Sequence, residues 1–165
     1  MQKHPLEIPS AITRILKISN CPSMSGRSEL TYHLGCNAEG DIHLRVVANT
    51  GGGQFNANWV LLNDILALLA EHPKEKPMSA TVLRPLYRHR SSNSPAFLFA
   101  VLLAESVVQP EKVLGYQPGN VEAVKSALSV LVASETNLNA VVALPEGDTS
   151  ASVAPSSKPK RTVKA

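Results

Sequence analysis

Glu29-Leu30-Thr31-Tyr32-His33-Leu34-Gly35-Cys36, Asn37-Ala38-Glu39-Gly40-Asp41 and Ile42-His43-Leu44-Arg45-Val46-Val47-Ala48 follow one another and decide the fold. Leu30, Tyr32, Leu34 and Cys36 alternate with Glu29, Thr31 and His33, the two-residue period of a strand with one face turned to a core. Ile42, Leu44 and Val46 alternate in the same way with His43, Arg45 and Val47. Closing the loop between the runs pairs Cys36 with Ile42, Leu34 with Leu44 and Tyr32 with Val46, so the apolar faces coincide. A slip of one residue would turn each of these side chains to the wrong face. The reading is an antiparallel hairpin with His33 and His43 on its polar face.

Upstream, Ile12 to Ile18 is a β-prone run that Asn20-Cys21-Pro22 ends, because proline cannot donate to a central ladder. It predicts a further strand and a β-rich region over 11–49. Downstream, Asn49-Thr50-Gly51-Gly52-Gly53 interrupts regular structure. Trp59, Leu62, Ile65, Leu66 and Leu69 then recur at helical spacing, with Asn56 or Asn58 as the cap and His72-Pro73 as the end. Ser79 is placed to cap a second short helix that Pro85 limits, and residues 79–88 also read as a strand. Pro95 suits the first position of a helix capped by Ser94, whose stripe is Phe97, Leu98, Val101, Leu102 and Val108 and whose end lies near Gln109-Pro110. Val113, Leu114 and Tyr116 around Gly115 suit a short strand or β-wing. Asn120 then caps a last helix carrying Val121, Val124, Leu128, Leu131 and Val132. The expected class is α+β: an N-terminal antiparallel sheet of about three strands, then a helical half over 57–134, within one domain of residues 1–145.

Composition supports a folded body: 44% of the 165 residues are hydrophobic and 18% charged, enough apolar side chain for one core. At 4% aromatic residues, the chain lacks an obvious stacking platform for single-stranded nucleic acid. The net charge of +3 is unevenly placed, since residues 1–150 carry 12 Lys and Arg against 13 Asp and Glu. Lys158, Lys160, Arg161 and Lys164 supply the excess in a Ser-, Ala- and Pro-rich tail, 146–165, too poor in apolar area to offset its ordering entropy and expected to be disordered. A second imbalance lies inside the body. No acid occurs between Glu75 and Glu105, whereas Lys76, Arg84, Arg88, His89 and Arg90 do, and such a local positive field attracts phosphates.

Several chemistries are disfavoured. Cys21 and Cys36 are too few for a disulfide framework, and the N-terminus has no apolar run like a signal peptide, which points to the cytoplasm. The longest apolar stretches fall short of the ~20 residues a membrane helix needs. Gly26-Arg27-Ser28 ends a stretch like a phosphate loop, but Cys21 stands for the first glycine, Arg27 for the lysine, and a strand follows where a helix is required. The alternation turns His33 and His43 away from Cys36, so with Cys21 they do not converge on zinc. No nucleophile sits in a recognisable strained turn, so neither an enzyme nor a cofactor is expected.

Over 57–117 the order of long helix, short helix, basic turn, apolar helix and short β element is similar to that of winged-helix DNA-binding domains. That resemblance implies double-stranded DNA as partner, with Arg84, Arg88, His89, Arg90, Ser91, Ser92 and Asn93 meeting phosphate or base edges, and Lys158, Lys160 and Arg161 as a flexible electrostatic arm. The third helix departs from the pattern, since Glu105 and Ser106 are its only polar side chains beyond Ser94 and it lacks the Arg, Asn or Gln of a reading helix. The stretches Ser28-Glu29-Leu30-Thr31-Tyr32-His33-Leu34-Gly35 and Asn93-Ser94-Pro95-Ala96-Phe97-Leu98 also look like those of accessory proteins of plasmids and integrative elements. The expected function is an accessory nucleic-acid-binding or regulatory protein of a bacterial mobile element. The alternative is a protein–protein adaptor or inhibitor of a host or defence protein. The apolar helix from Pro95 serves a homodimer as readily as a core.

Overall fold

The computed structural model describes residues 11–87 and 93–139. β1 (Arg14–Pro22), β2 (Glu29–Cys36), β3 (Ile42–Asn49) and the short β4 (Val60–Leu61) form one antiparallel sheet in the order β1-β2-β3-β4. The hairpin has the register that the alternation demands, with Cys36 opposite Ile42, Leu34 opposite Leu44 and Tyr32 opposite Val46. Asn37 holds its turn, its Oδ1 accepting from the N–H groups of Glu39 at 3.1 Å and Asp41 at 2.8 Å. Such a bond imitates a backbone turn and relieves the loop of unpaired donors.

The fold is α+β, and its helical part differs from the sequence reading in three places. Trp59 does not open a helix: Val60 and Leu61 pair with Leu44 and His43 as β4, and α1 runs over Leu62–Glu71 with Leu61 at its N-cap and no side-chain cap. Pairing with β3 satisfies backbone groups that a helical turn would otherwise take up, and the spacing of Trp59 and Leu62 fits either state. Asn56 caps nothing, and its Oδ1 accepts instead from Asn58 N at 2.7 Å. Residues 80–87, left open between helix and strand, form a 3-10 helix, Ala80–Tyr87, with Pro85 inside it.

The third correction concerns α2, which spans Ser94–Ala104 and stops short of Val108. Ser106 adopts a φ of +61° and donates to Leu103 O, while Val107 N reaches back to Leu102 O. This pair of bonds is the helix-ending motif that usually employs glycine. Ser94 does not cap α2 either, because its Oγ accepts from Asn56 N at 2.8 Å and Asn93 occupies the N-cap position. The released chain forms the expected β-wing as a hairpin of β5 (Val108–Glu111) and β6 (Gly115–Pro118). A bond from Met78 N to Leu114 O, 3.1 Å, ties the hairpin to the connector after α1.

α3 (Val121–Ala133) is capped as its sequence predicts, Asn120 Oδ1 accepting from Ala123 N at 3.0 Å. Leu128 is its only buried side chain, and Val130 is 67% exposed. Its C-terminal end is fastened to β1: Arg14 donates to Val132 O at 3.0 Å and Thr136 O at 3.4 Å, and Leu138 N donates to Ile15 O at 2.8 Å. A cation at a helix C-terminus also meets the negative end of its dipole.

One hydrophobic cluster joins Leu30, Tyr32, Leu34, Leu44 and Val46 of the sheet to Ile65 and Leu69 of α1 and to Leu98 through Leu102 of α2. Five consecutive buried positions cover every side of α2, so this helix lies inside the molecule and not along its surface. Among the described residues no helix is long and apolar enough to cross a membrane.

Candidate functional site

The sequence-derived site is divided by the limits of the described residues. Arg88, His89, Arg90, Ser91 and Ser92, together with Lys158, Lys160 and Arg161, lie outside them, as does the whole 146–165 tail. Arg84 and Asn93 lie within them. Arg84 is exposed on the 3-10 helix, and no ion pair reaches it among the described residues. The points from which the basic segment departs and to which it returns are anchored: Tyr87 is buried, Ser94 is 2% exposed, and Asn93 Nδ2 donates to Gln54 O at 3.0 Å.

That last bond brings in the glycine-rich loop. Gly53 has a φ of +111°, and a Cβ there would stand 2.8 Å from Asn93 Nδ2, so only glycine suits both the conformation and the contact. At its other end, a Cβ on Gly51 would stand 3.0 Å from Ser28 Cβ in the β1–β2 turn. The loop therefore bridges the turn bearing exposed Arg27 and the start of α2. α2 presents no polar side chain to an exposed surface, which leaves cations and loop backbone as the groups able to meet an anion.

Sequence reasoning missed a second constellation, on the sheet face opposite the core. His33 and His43 do turn away from the core, yet they are 6% and 5% exposed, so this polar face is covered where they lie. Trp59 and Ile12 cover it: a Cβ on Gly35 would lie 2.8 Å from Trp59 Cη2 and 2.8 Å from Ile12 Cγ2. The absent side chain of Gly35 makes room for the indole. Arg45, opposite His33 in the ladder, places its guanidinium carbon 4.3 Å from the centroid of a Trp59 ring. Its Nε and Nη2 donate to His33 Nδ1 at 3.3 and 3.2 Å. Burial and the adjacent guanidinium hold the His33 pKa below the usual imidazole value, and burial lowers that of Arg45. The register already implied the His33–Arg45 pair; Trp59 was hidden because its spacing reads as helical.

A third polar group lies under α3. Lys17 Nζ is 2.6 Å from Glu105 Oε1, and the Tyr32 hydroxyl donates to the same oxygen. Burial together with Glu105 pushes the Tyr32 pKa up, and burial beside Glu105 raises the Cys21 thiol to about 11, so that thiol stays protonated and a poor nucleophile at neutral pH. Cys21 and Cys36 are free and buried. Among the described residues no three His, Cys, Asp or Glu side chains stand together as a metal ion would require.

No family model matches this chain, and neither the curated proteins nor the solved structures contain a match.

Proposed function

We propose that the chain is a cytoplasmic accessory nucleic-acid-binding or regulatory protein, of the kind carried by bacterial mobile elements, that holds the phosphate backbone of duplex DNA. The observation that carries this reading is Arg84, an exposed cation without a carboxylate partner among the described residues, inside an acid-free interval and just before a basic segment, 88–92, whose flanking residues Tyr87 and Ser94 are buried. Exposed Arg27 and the glycine loop adjoin the far anchor. Because α2 is enclosed, binding of this kind is positional and independent of base sequence, with affinity falling steeply as salt rises. Anisotropy titration of a mixed-sequence duplex at low and physiological salt tests it. Saturable, salt-sensitive binding that weakens in Arg84→Ala and further in Arg88→Ala/Arg90→Ala is the expected result, and no binding at micromolar protein overturns it.

A protein–protein adaptor is the second reading, favoured by a cleft of about 510 Å³ between the end of α1 and the β5–β6 hairpin. Leu69, Met78, Leu114 and Tyr116 line it, and Val113 stands 83% exposed beside it. An apolar side chain left in water next to an apolar cleft marks an interaction surface. Under this reading Val113→Asp abolishes capture of a stoichiometric, nuclease-resistant partner. A homodimer would use such a surface also, since α2 is consumed by the core.

A further inference from the structure

We propose that the cleft between α3 and the Lys17–Glu105 pair binds a free aliphatic amino acid, with its ammonium on Glu105, its carboxylate on Lys17 and its side chain against α3. The inference goes beyond duplex binding and uses none of the residues of that reading.

The cleft follows from how α3 is held. Gly119 N donates to Val107 O at 2.8 Å ahead of the helix and Arg14 donates to Val132 O at its end, so both ends are fastened to the body. Between them only Leu128 is buried; Val124 and Leu131 are half-buried, and Ala127, with a single methyl, stays exposed. The space left is about 440 Å³, a size that suits a small ligand. Val124, Ala127, Leu128 and Leu131 give it an apolar wall. β1 and the residue after α2 contribute Lys17 and Glu105, the only charged side chains of the lining among the described residues.

Those two charges keep bonding capacity in reserve. Lys17 Nζ lies 2.6 Å from Glu105 Oε1 and the Tyr32 hydroxyl donates to the same oxygen, so two donors fix the carboxylate through one of its atoms. Glu105 Oε2 accepts no hydrogen bond among the described residues, and it is open to water, since no buried side-chain oxygen there lacks a partner. The Lys17 side chain is 40% exposed, and its ammonium has three N–H groups, of which Glu105 takes one. An acceptor and a donor, each with free valences, therefore stand side by side next to an aliphatic surface.

The ligand chemistry follows from this set. A ligand with a single charge satisfies one member of the pair and is repelled by the other. An α-amino acid carries both charges on one carbon, which matches two opposite charges in contact, and charge-assisted bonds of this kind are the strong ones. An aliphatic side chain then buries area against Val124, Leu128 and Leu131, where a polar one gains nothing.

Isothermal titration calorimetry of the full chain tests the proposal with leucine and valine as probes. The comparison ligands are isocaproate, which lacks the ammonium, isoamylamine, which lacks the carboxylate, and serine, which lacks the apolar side chain. Saturable binding of leucine or valine, about 10-fold or more tighter than of any comparison ligand, is expected, with slower amide exchange in α3 when the site is filled. Lys17→Gln should weaken that binding about 10-fold or more and erase its advantage over isoamylamine, a change of selectivity that a merely structural role would not produce. Ala127→Phe fills the cleft from an exposed position, touches neither charge and should abolish binding; it carries the test should Lys17→Gln not fold. Val130→Ala, on the exposed side of the same helix, should leave affinity unchanged, and so should Arg84→Ala, which separates failure here from failure of duplex binding. No saturable response to leucine or valine, equal affinity for a comparison ligand, or unaltered affinity in Lys17→Gln or Ala127→Phe overturns the proposal.

Discussion

The core face of the sheet carries Leu30, Tyr32, Leu34, Leu44 and Val46 beneath α1 and α2, whereas the opposite face carries His33, Arg45 and His43 beside the side chains of Trp59 and Ile12. Both faces arise from one alternating pattern, and both end up largely closed to water, by different physics. On the core face, burial of aliphatic area stabilises the chain, and the phenol that the sheet itself contributes, Tyr32, is bonded to Glu105. On the outer face the stabilising contacts are a cation over a ring and charged-to-neutral hydrogen bonds, which depend on geometry and on protonation. A region held by area is insensitive to pH and unforgiving of lost volume. A region held by stacked polar groups is the reverse.

The largest effect should separate the faces by volume. Leu34→Ala leaves a cavity at a position 1% exposed and should cost ~2–5 kcal/mol, read as a lower denaturation midpoint at unchanged slope, while Trp59 emission stays as in the native chain. Adding volume on the other side is the converse. Gly35→Ala drives a methyl to 2.8 Å from both Trp59 and Ile12, and should cost roughly 1–3 kcal/mol with a shift in Trp59 emission. The share due to the indole should disappear in combination with Trp59→Leu while the Ile12 contact remains; equal cost in both backgrounds would mean that the indole does not lie over Gly35.

A smaller effect, of a different kind, follows from protonation. The folded-state pKa of His33 is depressed, so the unfolded chain binds the proton first. The stability this histidine supports is present above its unfolded pKa near 6.5 and is lost as pH falls through the lower folded value. Denaturation midpoints should therefore decline on acidification, and less so in His33→Gln, with Leu34→Ala showing the same decline as the native chain. The smallest change belongs to neither face: Asn120→Ala removes the cap of the lightly packed α3 and should cost ~1 kcal/mol, seen first as faster amide exchange in Val121 through Val124.

The legible parts of the fold were those whose signals are local. Asn120 sits three residues before the N–H it caps, and Gly115, at positive φ, directly follows the turn of the hairpin, so the last helix and the β-wing were foreseen within a few residues. The end of α2 was misplaced because a serine, not a glycine, took the positive φ at position 106, and nothing local marks such a residue. At the candidate sites, the acid-free interval between Glu75 and Glu105, which holds Arg84, was visible as a charge pattern. The Arg45–Trp59 stack was not, because it joins a strand residue to a loop residue distant in the chain, beside a glycine whose missing side chain makes the room.

The hairpin over 29–48 was determined by sequence alone, since a two-residue period with one apolar face permits a single register and any slip exposes all of its side chains at once. Tertiary structure alone decided that Val60-Leu61 is a strand, that Trp59 faces away from the core, and that the polar side of the hairpin is covered. Those outcomes rest on contacts between segments distant in the chain, and at a junction where strand and helix periodicities both fit, the free energy of such contacts outweighs local preference.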